Sequence, residues 1–267
     1  MMTARRLPTR MVEKVWGRDV LPAPFAAPDG LRIGEIWFAP PPEMPQVLVK
    51  YLFTSEKLSV QVHPSDANAL PGEAGKDECW LVLDAEPDAR LAIGFARAVT
   101  PAQMAAAAAD GSIESLLTWH PARPGDLFYL PAGTVHAIGP GLALVEVQQA
   151  SDTTFRLYDY GRPRELHLER ALAVASGMPY PAEHRRSIAE GQVLVDGPHF
   201  RLDRVTGAPG SATLAAYPGA LLALPLTGSV RARDGSAMAS AGECLLAHGL
   251  ANLDFSAAEV TLLTRAA

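Results

Sequence analysis

Cysteine is scarce in this chain: Cys79 and Cys244 are the only two among 267 residues. They lie far apart and form no CxxC pair, so no thiolate-based metal site or redox motif is offered. Both are expected as small, buried apolar side chains in a reducing compartment, without a disulfide between them. Concentrated positive charge is lacking as well. Lys+Arg number 23 against 29 Asp+Glu, a formal net charge of −6, and no Lys/Arg block stands out, which argues against nucleic acid as a partner. No stretch approaches the roughly 18 consecutive apolar residues of a membrane span. The first residues, MMTARRLPTRMVEKVWGRD, contain no apolar signal-peptide core. A cytoplasmic protein with no membrane partner is therefore expected. With 48% hydrophobic and 19% charged residues, the chain has the balance of a globular protein with a sizeable core.

What is present reads mainly as β-structure. Trp16-Gly17 reads as a bulky anchor followed by a turn, and residues 21–30 read as a loop rich in Pro, Ala and Gly. Strands are predicted over IGEIWFAP (33–40), VLVKYLFTS (47–55), LSVQVH (58–63), ECWLVL (78–83), RLAIGF (90–95), DLFYLP (126–131) and LALVEVQQ (142–149). At Thr100 the texture changes. A threonine followed by proline opens an alanine-rich helix that Gly111 ends, and IESLLTWH reads as a second short helix. This forms a small helical insert over residues 100–120. Helical spacing returns in RELHLERALAVAS (164–176), and residues 177–191 read as a polar connector. From Gln192 onward, short apolar runs are cut by glycines about every 8–12 residues, the spacing of an all-β unit. The expected organisation is a β-barrel unit over residues 1–176 carrying the insert, and a smaller β-barrel unit over residues 177–267.

The chemistry concentrates in four places. In LSVQVHPSD, Gln61 and His63 are two apart in an alternating run and share one strand face, with Val60 and Val62 on the other. In KDECW, Lys76, Glu78 and Trp80 share a face if the strand starts that early. In GDLFYLPAGTVHAIGP, Pro131 and Gly133 make a turn that aims His136 into a barrel. The fourth place is QQASDTTFRLYDYGR (148–162), dense in polar groups directly after an apolar strand. Two imidazoles, a carboxylate and an amide oxygen suit zinc, with iron, manganese or cobalt as alternatives.

Plainer readings stand beside these. Lys76 is alternatively a solvated loop lysine, and Arg156 a partner of Asp152 or Asp159. Ser65 and Asp66 serve equally as a turn cap. Trp16, Trp37 and Trp80 read as core or pocket wall. Glu35 either reaches the pocket or pairs with a loop arginine. His199 and His248 lack neighbours at ligand spacing and read as structural, which leaves the second unit metal-free.

The stretch from Gly125 through Pro131 and Gly133 to His136 resembles the second cupin motif, with Pro140 where that motif carries asparagine. QVHP, GKDECW, PAGTVHAIG and EVQQASDTTFRLYDYGR, in that order, resemble the type I phosphomannose isomerases, zinc enzymes of the cupin superfamily. VEKVWG, IGEIW and VLVKYL resemble the N-terminal half of the same family. The likeness runs from Val12 to Ala171; beyond it the chain is similar only as a β-rich tail. It implies a jelly-roll barrel and one zinc ion per chain, held by Gln61, His63, Glu78 and His136. It places the family's catalytic arginine at Arg156 and its motif lysine at Lys76. It also implies reversible conversion of mannose 6-phosphate and fructose 6-phosphate, with no other cofactor.

The residues suit that chemistry. Moving a proton between C1 and C2 of a sugar needs a polarised carbonyl and a stabilised oxyanion. A phosphate needs cationic or N–H partners; Lys76 and Arg156 are the available cations, and Ser65 a hydroxyl donor. The general base is left open among Asp152, Asp159, Lys76 and a metal-bound water. Competing functions are an isomerase of a free sugar, suggested by the short insert, a cupin iron oxygenase, and a non-catalytic sugar-binding cupin.

Overall fold

The computed structural model describes residues 4–190 and 192–267, so residues 1–3 and residue 191 of the connector lie outside it. The mainly β expectation holds, with 45% of residues in strands and 13% in helices. Among the described residues the strands form three sheets. In spatial order, a seven-stranded sheet runs Arg185–Ser187, Asp126–Leu130, Glu78–Ala85, Leu142–Gln149, Val47–Thr54, Ile33–Phe38, Thr9–Arg18. A five-stranded sheet runs Phe155–Tyr158, Val60–Val62, His136–Ile138, Arg90–Phe95, Leu117–Pro121. The third, eight-stranded sheet is built from the C-terminal residues around Ala220–Ala232 and Ala258–Ala266. Its far edge is Ala4–Arg6, which pairs with Leu245–His248, so the start of the chain joins the sheet made by its end.

Strand alternation sets the layers. Val47–Thr54 and Leu142–Gln149 are buried at every position because the seven-stranded sheet is covered on both faces. Val47, Val49, Tyr51, Phe53, Ala143, Val145 and Val147 pack against Leu222, Leu224, Leu246 and Leu262 of the C-terminal sheet. The intervening Leu52, Leu142 and Leu144 turn the other way, toward Leu91, Ile93 and Ile138 of the five-stranded sheet. The outer face of that sheet carries Val60, Val62, Ala92, Ala137 and Phe155 under Met104, Ala107, Ala108 and Ala171 of the helices. Two facing sheets thus enclose an interior, with helices on one side and the C-terminal sheet on the other. Cys79 and Cys244 are both free, buried thiols in the first of these cores.

The insert helix is Pro101–Asp110. Thr100 and Gln103 form a reciprocal capping box, Pro101 opens the first turn, and Gly111 closes the helix in the left-handed region at φ 82°. Three local expectations are corrected. The second helix is a single turn, Ile113–Leu116, and Leu117–Pro121 is instead a strand paired with Arg90–Phe95. Its Thr118 and Trp119 favour a pleated edge over a helix. Thr9–Arg18 is a strand paired irregularly with Ile33–Phe38, where a turn at Trp16-Gly17 was expected. The connector is not wholly irregular: Arg185–Ser187 adds an edge strand against Asp126–Leu130. Among the described residues no helix is long and apolar enough to cross a membrane.

Candidate metal centre

The same alternation fills the interior with polar groups. Gln61 lies directly opposite His136 on one neighbouring strand and opposite Arg156 on the other. Directly paired residues share a face, so Arg156, Gln61 and His136 form a row across three strands. On the facing sheet, Glu146 pairs with Lys50 on one side and Trp80 on the other, and Gln148 pairs with Glu78. Leu52 and Leu144, on the same faces as these charges, are apolar; the charges gather at one end of the interior. The cavity there is lined by Lys50, Lys76, Glu78, Glu146, Asp152 and Arg156, among others.

His63, Glu78 and His136 each present one ligand atom, all within 4.8 Å of one another. Glu78 Oε2 lies 3.5 Å from His63 Nε2, and Glu78 Oε1 lies 3.5 Å from His136 Nε2. Ligands at zinc distance on a tetrahedron stand about 3.4 Å apart, so the carboxylate and imidazoles already have the spacing of a coordination edge. The histidines are turned correctly for this. His63 Nδ1–H donates to the Thr153 carbonyl at 2.8 Å and His136 Nδ1–H to the Thr134 carbonyl at 2.9 Å. Each Nε2 lone pair is thereby left facing the cavity, the arrangement in which outer-shell carbonyls fix a ligating imidazole. Both Glu78 oxygens are buried and neither accepts a well-directed hydrogen bond; among the described residues the Lys76 ammonium, 2.8 Å from Oε2, is the one cation beside them, and Oε1 is left free to meet a second. The residues present therefore fit a divalent metal.

The turn that delivers His136 behaves as its sequence implies. Gly133 takes φ 84°, where a Cβ would approach the Val174 carbonyl to 2.9 Å, and its N–H donates to the His63 carbonyl at 2.8 Å. Gln61 stands beside the triad with its amide nitrogen 3.2 Å from His136 Nε2 and its Oε1 accepting from Ser59 Oγ at 3.0 Å. A half-turn of the amide exchanges the two atoms and offers the oxygen.

The surrounding charges are buried and interlocked. Lys76 is not a solvated lysine: it is 5% exposed, and its Nζ lies 2.8 Å from Glu78 Oε2, 3.1 Å from His63 Nε2 and 3.5 Å from Glu146 Oε1. Burial opposes its charge, but Glu78 and Glu146 outweigh burial and hold it protonated, well above the usual lysine range. Burial likewise opposes ionisation of Glu146, yet Lys50 and Lys76 push it well below the usual carboxylate range. Burial raises Glu78, with Lys76 opposing and Glu146 adding to the rise. Burial, then Lys76, depresses His63; burial pushes His136 down to about 4. Both imidazoles are neutral at pH 7, as ligands must be.

Lys50 and Glu146, 3.2 Å apart, were not singled out from the sequence. Their signal was available: each is the one charge inside an eight-residue run that is otherwise apolar or amide-bearing at its centre. Glu35 does reach the cavity, but it pairs with Lys14 at 3.1 Å and Lys50 at 3.7 Å, not with a loop arginine. Arg156 lines the cavity with its Nε buried and unpartnered. Asp159, one of its suggested structural partners, is taken by Arg162 and Arg164. Ser65 is placed elsewhere: its N–H and hydroxyl donate to Asn68 Oδ1 at 2.7 and 3.1 Å in the turn after Pro64, off the cavity lining. Asp66 accepts from Gly75 N–H and the Gln149 amide, also as a loop cap.

No family model matches the chain. Mannose-6-phosphate isomerase ManA of Bacillus subtilis is 43% identical over 147 residues, 52% of this chain and 46% of that protein. The probable mannose-6-phosphate isomerase GmuF of the same organism is 36% identical over 211 residues, 74% of this chain and 66% of its own length. This chain belongs to the mannose-6-phosphate isomerase family. Its matched part spans about half the length of the first two curated relatives, 46% and 52%. Solved structures extend the likeness of fold across the whole chain of this family member. The mannose 6-phosphate isomerase from Bacillus subtilis aligns with a TM-score of 0.79 at 24% identity, covering 99% of this chain and 100% of the other. A mannose 6-phosphate isomerase solved with zinc bound aligns at 0.70 and 14% identity, over 99% and 100%. The cupin fold expected from the sequence is thus the fold observed.

One consequence of the site's electrostatics is measurable. Burial raises Glu78, so a metal competes with a proton there, whereas the two histidines, with pKa values depressed, have none to lose. Zinc binding near neutral pH should therefore release no more than one proton, and that release should shrink as pH rises. Calorimetric titration in buffers of different ionisation enthalpy measures it. Release of two protons would mean the imidazoles are charged in the metal-free protein, against this account.

Proposed function

We propose that this chain interconverts mannose 6-phosphate and fructose 6-phosphate through an enediolate, with one zinc ion per chain held by Gln61, His63, Glu78 and His136. The observation that carries the reading is the meeting, in one cavity, of three spaced ligand atoms with an arginine whose Nε has no partner. The names of the relatives agree with it. When bound, zinc supplies a Lewis acid that polarises sugar oxygens and lowers the energy of negative charge on them.

The chain's own groups divide the remaining work. Arg156 and Lys76 are the proposed catalytic and substrate-binding cations. Arg156 offers fixed N–H donors to the oxyanion or to the phosphate. Lys76, held protonated, offers a second cation lining the same cavity. Glu146 is the proposed proton acceptor at C2: it lines the cavity, is held ionised by Lys50 and Lys76, and is not committed as a ligand. Asp159 is removed from that role by its two arginines. Ser65 would need its loop to move before it could touch substrate. The catalytic unit is read as residues 1–176, with residues 177–267 a metal-free β unit whose sheet covers the outer face of the seven-stranded sheet, each unit lending the other an edge strand, Ala4–Arg6 and Arg185–Ser187. Two free buried thiols suit the reducing cytoplasm.

A coupled assay on the zinc-loaded protein tests the reading, with mannose 6-phosphate as substrate and mannose as comparison. Turnover of the phosphorylated sugar is expected. Full zinc occupancy with no turnover of mannose 6-phosphate would overturn it, and turnover of mannose alone would move the activity to a free-sugar isomerase.

A further inference from the structure

Residue 77 sits between Lys76 and Glu78, both of which project into the cavity, and its own side chain points away from it. All of its polar groups are used, each on a segment that serves the site. Asp77 Oδ2 accepts from the Tyr129 hydroxyl at 2.5 Å, and Oδ1 accepts from Ala132 N–H at 2.9 Å. Its N–H donates to Gln149 Oε1 at 2.8 Å, and its carbonyl accepts from Gln149 N–H at 3.0 Å. Ala132 belongs to the Pro131–Gly133 turn that aims His136, and the next residue, Gly133, donates to the His63 carbonyl at 2.8 Å. Gln149 ends the strand that carries Glu146, and its amide donates to Asp66 Oδ1 at 3.0 Å in the loop after His63. The buried Asp77, 6% exposed, thus ties the segment bearing Glu78 through its carboxylate to the segment bearing His136, and by that turn to His63, while its main chain holds the end of the strand bearing Glu146.

We propose that Asp77 is a positioning residue of the metal centre, whose carboxylate clasps the Tyr129 hydroxyl and the Ala132 amide and so fixes His63, Glu78 and His136 at coordination spacing. A buried carboxylate could satisfy its neighbours without affecting a metal, so the test must separate positioning from folding. Asp203 is the comparison: it is 1% exposed and paired with Arg201 at 3.1 Å, in the C-terminal sheet away from the cavity. The inference rests on the metal-dependent reading of the site, but zinc affinity is measured without any sugar.

Zinc affinity of the metal-freed full chain is determined by competition with a chromophoric chelator. Removing outer-shell groups commonly weakens metal binding about 10–100-fold. Asp77→Ala is expected to fall in that range, Tyr129→Phe to weaken binding about three-fold, and Asp77→Asn, which keeps an acceptor for Ala132 N–H and a donor for the Tyr129 oxygen, to stay within about three-fold of wild type. Asp203→Ala is expected to lower thermal stability with zinc affinity unchanged. Wild-type affinity in Asp77→Ala, or an equal loss in Asp203→Ala, overturns the proposal. Should Asp77→Ala fail to fold, Tyr129→Phe decides alone: wild-type affinity there overturns it. A wild-type protein that binds no zinc sinks both this inference and the proposed function; one that binds zinc but turns over no sugar phosphate sinks only the latter.

Discussion

Replacing His136 with alanine is expected to abolish isomerisation, with a fall in turnover on the order of 1,000-fold or more at saturating zinc. The substitution removes one of three convergent ligand atoms and leaves His63 and Glu78 with their 3.5 Å contact. It also unseats Gln61, whose amide rests 3.2 Å from His136 Nε2, and leaves a void against Trp80, whose ring centroid is 5.2 Å from the imidazole. The strand itself should survive, because His136 contributes a backbone pairing with Ile93 and Gln61 that alanine retains. The expected protein therefore folds, with a lower melting temperature, and binds zinc weakly. Chelation of the wild-type protein should reproduce the loss of turnover, and added zinc should restore it there but not in the variant. His248→Ala, an exposed histidine at the end of a C-terminal strand, is the control and should leave turnover unchanged. Turnover within ten-fold of wild type in a zinc-poor His136→Ala protein would detach the activity from this centre.

The parts of this site that were legible are those written in local pattern. Gln61 and His63 share a face because strands alternate, and that needs only the nearest neighbours in sequence. The turn before His136 is announced by Pro131 and Gly133. Lys50 and Glu146 needed more. Each looks like a defect in a hydrophobic run until the two strands are paired in register; only then do the charges fall opposite one another and face the cavity. The same holds for Asp77, whose partners Tyr129 and Ala132, on one strand and its following turn, and Gln149, at the end of another, are brought in by two separate segments. Ser65 went the other way: a hydroxyl next to a ligand-bearing strand was read toward the site, but Asn68 three residues on claims it. The edge strand Ala4–Arg6 shows the limit most plainly, since its partner Leu245–His248 lies at the opposite end of the chain and no local pattern announces it.

Arg156→Ala is expected to lower kcat/KM for mannose 6-phosphate by on the order of 100- to 1,000-fold, the cost of removing one fixed donor to developing negative charge. The register puts Arg156 opposite Gln61, on the face that carries the triad. Among the described residues its guanidinium spans no carboxylate: Asp159 is held by Arg164 through two bonds of 2.6 Å, and Arg156 Nε is buried without an acceptor. A cation kept in that state has little stabilising role to lose, so thermal stability and zinc content should both stay near wild type while catalysis falls. That combination separates it from His136→Ala, where metal and turnover are lost together. Arg156→Lys should recover little of the activity, because an ammonium cannot reproduce the planar array of donors. If the lost interaction is with the enediolate, kcat falls and KM stays; if it is with the phosphate, KM rises and the handicap shrinks when free mannose is compared. Near-normal kcat/KM in Arg156→Ala would reduce Arg156 to cavity wall and transfer the oxyanion to Lys76, whose Nζ lies 2.8 Å from Glu78 Oε2.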